Sequence, residues 1–371
     1  MKVKVLEVLG RLQDGGAETL VKDYALMVDK SLADIIVVPF MINPNSANFK
    51  LLKKNNVKIR PLFSKWNKAS RLFRRFLGEW LIPKKLDAIV KEESPDVIHI
   101  HLANIHYFMP IRESLSGIKI LYTCHNLPTL MFSDKRKKEM DAARYFIQKN
   151  NMQLIALHDG MAAELNRMFG INNTIVIRNG IDLPRFQNVR ESKKELRLIY
   201  KIPKDAFVIG HVGRFSYQKN HEFLIKIFTQ IMKQNVNAFL LLIGNGELKE
   251  SIQSELNSLK LQDRYLILSN RDDIPQLMHS MDVFVFPSRF EGLGIVLIEA
   301  QASGLPCVVS DNVPKDAFVT DYIHPLSLNE SLDNWCKEIL NSPAKEKNIV
   351  RLEEYDMHSE IHKLEKVYIK K

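Results

Sequence analysis

The sequence is poor in cysteine and contains no long apolar segment. Only Cys124, Cys307 and Cys336 occur among its 371 residues, and their spacing is not that of a paired motif. This excludes a disulfide scaffold and a cysteine-rich zinc site, and it favours a reducing compartment. No apolar run reaches the roughly 20 residues needed to cross a bilayer. We therefore expect a cytoplasmic protein, at most peripheral on the inner face of the cell membrane.

The N-terminus lacks the features of a signal peptide. The run Val3–Leu9 is short and carries Glu7 among its apolar residues, which predicts a buried first strand instead. An apolar content of 46% and a charged content of 26% are typical of a globular enzyme. Since domains usually span roughly 100–200 residues, the length predicts two of them.

Acidic residues are scarce between Lys50 and Lys85, where Glu79 alone opposes twelve lysines and arginines. This segment accounts for the whole net charge of +10, so the rest of the chain is nearly neutral. The distribution argues against a nucleic-acid-binding protein and favours a local anionic partner. Within Lys68–Ile82, apolar and aromatic residues recur at helical spacing between basic ones. Such a helix suits an anionic membrane surface, although an ordinary core-facing helix with a solvated polar face has the same pattern.

Short apolar runs alternate with helical patterns along the whole chain, which predicts parallel sheets covered by helices on both faces. A polar stretch beginning at Gln187 divides the chain into an N-terminal domain, residues 1–186, and a C-terminal domain. Ligands of doubly wound sheets bind at the carboxyl ends of the strands, so we expect a site in a cleft between two such domains. The predicted strands are Val3–Leu9, Asp34–Phe40, Val97–His101, Lys119–Cys124, Gln153–Leu157, Thr174–Ile177, Phe207–Val212, Ala238–Ile243, Tyr265–Leu268, Val283–Phe286 and Pro306–Ser310.

Two glycines follow the first predicted strand. Gly15 and Gly16 allow close approach of the backbone to a ligand, and the helix after them offers free N–H groups to an anion. A tight turn with Glu18 in the first helical turn is an equally good interpretation. The G-x-G-x-x-G dinucleotide fingerprint is absent.

The loop after the predicted strand Phe207–Val212 carries two cations, Arg214 and Lys219. A diphosphate has two adjacent negative charges, which a guanidinium and an ammonium can neutralise without a metal. A pair of solvated surface cations is the alternative. The position at a strand end favours phosphate binding.

Two glutamates eight residues apart form the most specific motif. Glu291 precedes a predicted helix whose first turn follows Gly292 and Gly294, and Glu299 lies inside that apolar helix. An unpaired acid there would be costly, so Glu299 is expected to have a polar partner, for which a ribose diol is suitable. A helix cap plus a satisfied buried glutamate is the alternative.

Several histidines occur near predicted strand ends. His101 and His125 end adjacent strands and are expected at the rim of the cleft. A metal site is conceivable, but no acid or cysteine spacing supports one. We interpret His99, His106 and His158 as hydrogen-bonded polar residues of the core.

Taken together, these segments resemble the family 4 glycosyltransferases, in particular those of exopolysaccharide and capsule assembly. The resemblance covers nearly the whole chain, and the Glu-x7-Glu pair with the Arg/Lys loop is its specific part. The matching segments are Gly15–Glu18, His125–Asn126, Asn179–Asp182, Gly213–His221, Gly244–Glu247, Glu291–Glu299, Ser310–Asp311 and Leu364–Tyr368.

The resemblance implies the GT-B fold: two Rossmann-like domains facing across a cleft, with residues 187–355 as the nucleotide-sugar-binding domain and 356–371 as a helix crossing back to the N-terminal, acceptor-binding domain. It implies a retaining, metal-independent transferase without a cofactor, whose leaving phosphate acts as the base. The donor is a nucleotide diphosphate sugar, with UDP expected, and the acceptor a polyprenyl-diphosphate-linked glycan. A nucleotide-sugar epimerase on the same fold and a non-catalytic scaffold on a membrane surface are the alternatives.

The resemblance also assigns roles to individual residues. Arg178 stands where proline is usual, and His158 where serine is common, which puts acceptor binding in question. The implied catalytic residues are Arg214, Lys219, Glu291 and His125. The implied donor-binding residues are Gly15, Gly16, Arg214, Lys219, Asn270, Arg271, Glu291, Gly292, Leu293, Gly294 and Glu299, and the acceptor-binding residues are His101 and Arg178.

Overall fold

The structure is a computed structural model that describes residues 2–63, 68–102, 104–234, 237–342 and 351–370, with side chains described outside 68–77. The described chain forms two compact units. Unit 1 comprises Met1–Asn179 together with His358–Lys371, and unit 2 comprises Gly180–Met357.

Unit 1 is built on a parallel sheet with the strand order β3-β2-β1-β4-β5-β6-β7. Its central strands are rich in Val, Ile and Leu and are buried on both faces, as expected for a sheet covered by helices. The order changes direction between β1 and β4, which creates a topological switch point. The strands are β1 (Val3–Leu12), β2 (Ala33–Ile42), β3 (Lys58–Ile59), β4 (Val97–His101), β5 (Lys119–Thr123), β6 (Gln153–Ala156) and β7 (Ile175–Val176).

Helices cover both faces of this sheet. In α3, Ile82, Leu86 and Val90 are buried in the same core as the sheet residues Ile98 and Ile100. The helices of this part of the chain are α1 (Gly16–Met27), α2 (Ala47–Lys54), α3 (Lys68–Glu93), α4 (Pro128–Met131), α5 (Lys137–Asn150) and α6 (Asp159–Phe169), with 3-10 helices at Ile105–Leu115 and Asp134–Arg136.

Unit 2 contains a second parallel sheet, ordered β10-β9-β8-β11-β12-β13, with its own switch point between β8 and β11. Its strands are β8 (Phe207–Val212), β9 (Ala238–Ile243), β10 (Tyr265–Leu268), β11 (Val283–Phe286), β12 (Cys307–Ser310) and β13 (Ile323–Leu326). Its helices are α7 (Leu183–Gln187), α8 (Lys193–Ile199), α9 (His221–Gln234), α10 (Lys249–Ser258), α11 (Ile274–His279), α12 (Ile295–Ala302) and α13 (Leu332–Asn341), with 3-10 helices at Tyr217–Lys219, Gln262–Arg264, Lys315–Ala317 and Leu352–Tyr355.

Unit 2 begins earlier than the sequence indicates. The predicted boundary follows residue 186, whereas the contacts divide the chain after Asn179. The reason is that Ile181, Leu183 and Phe186 are buried in the core of unit 2. The two ends of unit 2 are joined, since the Ile181 amide donates to the Tyr355 carbonyl at 2.8 Å and the Met357 amide donates to the Ile181 carbonyl at 2.9 Å.

The last helix, α14 (Met357–Ile369), packs on unit 1. Its Tyr368 is buried, and its Glu365 carboxylate accepts a hydrogen bond of 2.8 Å from the Asp29 amide. The predicted fold class is confirmed: two Rossmann-like parallel sheets, with the C-terminal helix returning to the first.

The predicted membrane-facing segment Lys68–Ile82 lies at the start of α3, but the side chains of 68–77 are outside the described residues. Of its remaining residues, Ile82 is buried and Trp80 is 63% exposed. Among the described residues, none of the helices combines the length and the apolar character that crossing a membrane requires.

Candidate functional site

Polar loops follow the strands at the switch point of unit 2. The loop after β8 carries Lys219, and the loop after β11 carries Glu291. Because β8 and β11 are neighbouring parallel strands, their carboxyl ends bring these loops together. The backbone joins them as well, since the Arg289 amide donates to the Gln218 carbonyl at 2.8 Å.

Lys219 and Glu291 form a buried ion pair. The Lys219 ammonium lies 2.7 Å from Glu291 Oε1, with side chains only 13% and 5% exposed. The Gln218 amide donates to Glu291 Oε2 at 3.0 Å, and the Lys219 ammonium lies 4.5 Å from the centroid of the Phe286 ring. Charged groups are tolerated in a protein interior when they are paired with an opposite charge and hydrogen-bonded, as here. A cation and an anion are thus held at the switch point, where an anionic ligand with hydroxyl groups would meet both.

Arg214 lies beside this pair but faces solvent. Its guanidinium donates to Glu247 Oε2 at 3.1 Å, and its side chain is 70% exposed. The Glu247 loop is fixed against it because Gly244 has no side chain: a Cβ there would lie 1.9 Å from the carbonyl oxygen of Gly213. Gly213 in turn faces the stem of Lys219, with a Cβ position 3.2 Å from its Cε. The two predicted cations therefore belong to one surface.

The N-terminus of α12 follows Glu291 directly. Gly294 is the residue before the helix and has φ +87°, a left-handed conformation that favours glycine. Leu293 is buried, while Gly292 is half-buried. Glu299 is half-buried on the helix. The first turn of such a helix leaves backbone N–H groups for an anion.

Asn270 and Arg271 follow β10, at the same edge of the sheet. Asn270 is exposed with φ +55°. The Arg271 guanidinium forms an ion pair with Asp273, which also accepts a hydrogen bond of 2.7 Å from the Tyr200 hydroxyl. These residues line the outer part of the strand-end surface, where we predict the nucleobase.

Two buried histidines lie behind Lys219 and were missed in the sequence. His211 Nδ1 donates to the Val285 carbonyl at 2.9 Å, and its ring lies 4.7 Å from that of His221. Burial, then the charge of Lys219, lowers the pKa of His221 to about 4. Burial, then the neighbouring His221, lowers the pKa of His211 as well. Both rings are neutral at pH 7, so they add no charge to that of Lys219.

The predicted glycine loop of unit 1 lies at its own switch point, after β1. Gly15 precedes α1, and a Cβ on it would lie 2.5 Å from Glu18 Oε2, whereas Gly16 has open space. Burial raises the pKa of Glu18. Asp14 fixes the loop by accepting hydrogen bonds from the amides of Ala47 and Asn48 at 3.2 and 3.1 Å.

Glu7 and the two histidines of β4 form a buried cluster on the same sheet, which extends to His125 after β5. Glu7 Oε2 lies 2.6 Å from His101 Nε2, and His101 Nδ1 lies 2.8 Å from His125 Nε2. His99 Nδ1 lies 2.9 Å from the Tyr368 hydroxyl, which also bonds to Glu7 Oε1. The sequence signal for this cluster is the single acid within the apolar run of β1.

The structure corrects the prediction for His101. It is fully buried and both ring nitrogens are engaged, so it is not available to an acceptor. The reason is that β4 is covered on this face by α1 and α14, through Tyr24 and Tyr368. His125 is half-buried and lies nearer the surface. His99, His106 and His158 are hydrogen-bonded, in agreement with their interpretation as polar core residues.

Glu7, His99 and His101 also place three potential metal-ligand atoms within 4.8 Å of one another. However, the 2.6 Å between Glu7 Oε2 and His101 Nε2 is a hydrogen-bond distance, shorter than the roughly 3 Å between two ligands of one zinc ion. The arrangement fits a hydrogen-bonded network better than a metal centre.

A cavity of about 330 Å³ lies at the strand ends of unit 1, and Asn126 is part of its lining. Arg178, predicted to contact the acceptor, forms an ion pair of 2.6 Å with Asp159, and its amide donates to Glu360. A second depression of about 370 Å³, which shares Arg136 with the first, is lined by charges paired with each other, such as Glu79 with Lys138. The residues lining the first cavity are Gly10, Leu102, Asn104, Tyr107, Asn126, Met131 and Arg136.

Comparison with known proteins gives matches along both units. Residues 15–185 match the model described as Glycosyltransferase Family 4, and residues 192–330 match Glycosyl transferases group 1. The putative glycosyltransferase EpsF of Bacillus subtilis is 30% identical over 92% of this chain and 88% of its own length. The Escherichia coli UDP-Gal:alpha-D-GlcNAc-diphosphoundecaprenol alpha-1,3-galactosyltransferase is 30% identical over 60% of this chain and 59% of its own length.

Two solved structures support the same fold. The crystal structure of Anabaena Alr3699/HepE in complex with UDP superimposes with a TM-score of 0.73 over 99% of both chains at 20% identity. WaaG, a glycosyltransferase involved in lipopolysaccharide biosynthesis, gives 0.73 over 99% of this chain and 100% of its own, at 15% identity. With the two sheets and the whole-length relative, these matches establish that the chain belongs to the family 4 glycosyltransferases of the GT-B fold.

Proposed function

We propose that this glycosyltransferase transfers a sugar from a UDP-sugar to a polyprenyl-diphosphate-linked glycan in exopolysaccharide or capsule synthesis. The Lys219–Glu291 pair is the observation that carries the proposal. It holds a buried cation and an acid at the strand ends where a diphosphate-sugar requires both. The names of the E. coli relative and of the Anabaena complex support UDP as the nucleotide.

The donor chemistry follows from the residues of unit 2. As the glycosidic bond breaks, negative charge grows on the leaving diphosphate, and Lys219 with Arg214 stabilises it. Glu291 accepts hydrogen bonds from sugar hydroxyls, Glu299 from the ribose, and the amides of Gly292 to Gly294 contact the distal phosphate. Asn270 and Arg271 border the nucleobase.

We further propose that transfer is retaining and needs no metal. Two side-chain cations supply the charge that a metal would otherwise provide. Glu291 is committed to Lys219 and Gln218, which makes it a poor nucleophile, so a front-face attack with the leaving phosphate as the base is favoured.

The acceptor is assigned to unit 1. Among the described residues that line it, the cavity of unit 1 has the cation Arg136 together with the side-chain amides of Asn104 and Asn126, which suits a sugar linked to a phosphate. Gly15 and Gly16 shape the neighbouring strand end, and Arg178 remains a proposed acceptor contact.

A location on the inner face of the membrane would suit a lipid-linked acceptor. Trp80 is 63% exposed on α3, and the Lys84 ammonium lies 5.1 Å from the centroid of its ring. An exposed aromatic beside basic residues is typical of a helix at a membrane interface. We propose that the segment Lys68–Ile82 makes this contact.

A thermal-shift screen of UDP-, GDP- and ADP-sugars tests the donor class. A ligand at about 100 times its Kd stabilises the folded state by about 2.7 kcal/mol, so only the true nucleotide should raise the melting temperature clearly. Arg214→Gln should reduce the shift, whereas Lys226→Gln, which removes a cation paired with Glu222 on α9, should not. A UDP-sugar shift equal to those of the GDP- and ADP-sugars would refute the donor assignment.

The epimerase alternative shares the donor site and differs in its product. Incubation of the donor with enzyme alone would then yield an isomerised nucleotide sugar. Donor that stays unchanged until a polyprenyl-diphosphate-linked sugar is added supports the transferase.

A further inference from the structure

The buried acid of unit 1 has no role in the donor chemistry proposed above. Glu7 is fully buried in the middle of β1, opposite His99 of β4 in the parallel register. A hydrogen-bonded path connects it to the partly exposed His125 through His101. His101 is fully buried, whereas His125 is half-buried.

The direction of hydrogen bonding along this path depends on Glu7 alone. An ionised carboxylate only accepts, so His101 must carry its proton on Nε2 and accept at Nδ1. His125 then donates from Nε2, which leaves its Nδ1 unprotonated. A protonated Glu7 reverses every step and puts a proton on His125 Nδ1. The two arrangements give His125 opposite hydrogen-bonding character.

The surroundings of Glu7 select the ionised form. Glu7 Oε1 accepts a hydrogen bond from the Tyr368 hydroxyl. The Tyr368 oxygen therefore accepts a hydrogen bond from His99 Nδ1, and this nitrogen also lies 3.3 Å from Glu7 Oε2. Thr123 completes the arrangement with a 2.7 Å hydrogen bond to His99 Nε2. A buried carboxylate is tolerated only with donors of this kind.

The ionisation equilibria agree with this geometry. Burial alone would raise the pKa of Glu7, but the charge interaction with His99 and the hydrogen bonds from His101 and His99 bring it well below its ordinary value. Burial and the neighbouring His99 lower the pKa of His101 to about 4. Burial, then His101, lowers the pKa of His125 as well. At pH 7 the path therefore has one anion and two neutral rings.

We infer that Glu7 is a positioning residue, which through His101 fixes His125 in the Nε2–H tautomer and leaves Nδ1 as an acceptor for a substrate hydroxyl. In the part of the chain that the structure describes, His125 Nδ1 has no hydrogen-bond partner, so it is available to a ligand. Only the identity of that ligand, a sugar hydroxyl, rests on the proposed function.

Nitrogen NMR of the full-length protein labelled with ¹⁵N-histidine tests the inference without any substrate. His125→Gln and His101→Gln assign the two rings. In the wild type we expect His125 Nδ1 and His101 Nδ1 to have the ¹⁵N chemical shift of an unprotonated ring nitrogen. A proton on His125 Nδ1 in the wild type would overturn the inference before any variant of Glu7 is made.

Two variants separate positioning from simple structural support. Glu7→Gln offers either an acceptor or a donor to His101, so His125 should become a mixture of tautomers. Tyr368→Phe removes the hydroxyl that donates to Glu7 Oε1 but leaves the path to His125, so it should lower the melting temperature and keep the wild-type tautomer. Identical His125 spectra in the wild type and Glu7→Gln would contradict the role of Glu7.

Ligand binding provides the second readout. UDP-glucose affinity measured by calorimetry should fall about 2- to 10-fold in Glu7→Gln, the effect of one lost hydrogen bond, while UDP affinity stays the same. UDP-glucose affinity that is unchanged while the tautomer shifts would refute the substrate contact of His125. Absence of UDP binding in the wild type would instead refute the proposed donor, and the tautomer result would still stand.

Discussion

The buried pair of Lys219 and Glu291 can be tested with a double-mutant cycle made of Lys219→Met, Glu291→Gln and both together. Lys219→Met leaves Glu291 buried with Gln218 as its remaining side-chain donor. Breaking a buried ion pair from one side costs about 3–5 kcal/mol. The Gln218 bond offsets part of this, so we expect about 3 kcal/mol.

This destabilisation is large enough to measure by calorimetric or circular-dichroism melting. For a unit of this size, 1 kcal/mol corresponds to about 2–4 °C, so Lys219→Met should melt about 6–12 °C lower. The double variant removes both charges and keeps the volume, so it should recover most of the loss. Additive effects of the two single variants would show that the pair is not coupled and would refute this part of the reasoning.

Ligand affinity in the same variants separates the roles of the two residues. Lys219→Met should weaken UDP binding by about 1.5–3 kcal/mol, the value of a hydrogen bond to a charged group. Glu291→Gln frees Lys219 from its internal partner, so UDP should bind at least as tightly, while the additional affinity of the UDP-sugar over UDP should be lost. Weaker UDP binding in Glu291→Gln with normal binding in Lys219→Met would reverse the assignment.

Three further predictions concern single features. Glu299→Ala should weaken nucleotide binding by about 1–3 kcal/mol, the cost of an unmet polar partner, and an unchanged calorimetric affinity would exclude the ribose role. Because burial lowers the pKa of His221 in the folded state to about 4, its contribution to stability is complete above about pH 6.5 and declines toward pH 4. Between pH 7 and pH 5, the melting temperature of His221→Asn should therefore fall less than that of the wild type. Parallel curves of melting temperature against pH for the two proteins would contradict this. Neutralising Arg71, Arg74 and Arg75 together should reduce sedimentation with anionic vesicles, and equal sedimentation would exclude the membrane contact.

The predicted strands that reappear in the structure are those with strong apolar runs. Ala238–Ile243 and Val283–Phe286 have the predicted bounds, because central parallel strands are buried on both faces. Lys58–Ile59 and Ile323–Leu326 were missed. The first is a two-residue edge strand, and the second, also at an edge, contains Pro325, so neither has a periodic signal.

The sequence predicted which residues form the candidate site, but not which of them contact each other. The sequence indicated that Lys219 and Glu291 lie on strand-end loops, and the structure joins them directly because β8 and β11 are neighbours across the switch point. Nothing in the local sequence links Glu7 to His101 and Tyr368, which are 94 and 361 positions away. Such contacts depend on the sheet order and on the return of the last helix.

The joined ends of unit 2 make it an insertion within the chain of unit 1. Because Ile181 is bonded to Tyr355 and Met357, the polypeptide enters and leaves unit 2 at one place. A fragment of residues 180–357 therefore keeps its termini adjacent, which suits separate expression or circular permutation. Unit 1 is different, because the last helix belongs to it. A fragment that ends at Asn179 would lack this helix and would expose the Glu7 carboxylate. Joining Asn179 to His358 by a short linker would bury the carboxylate again.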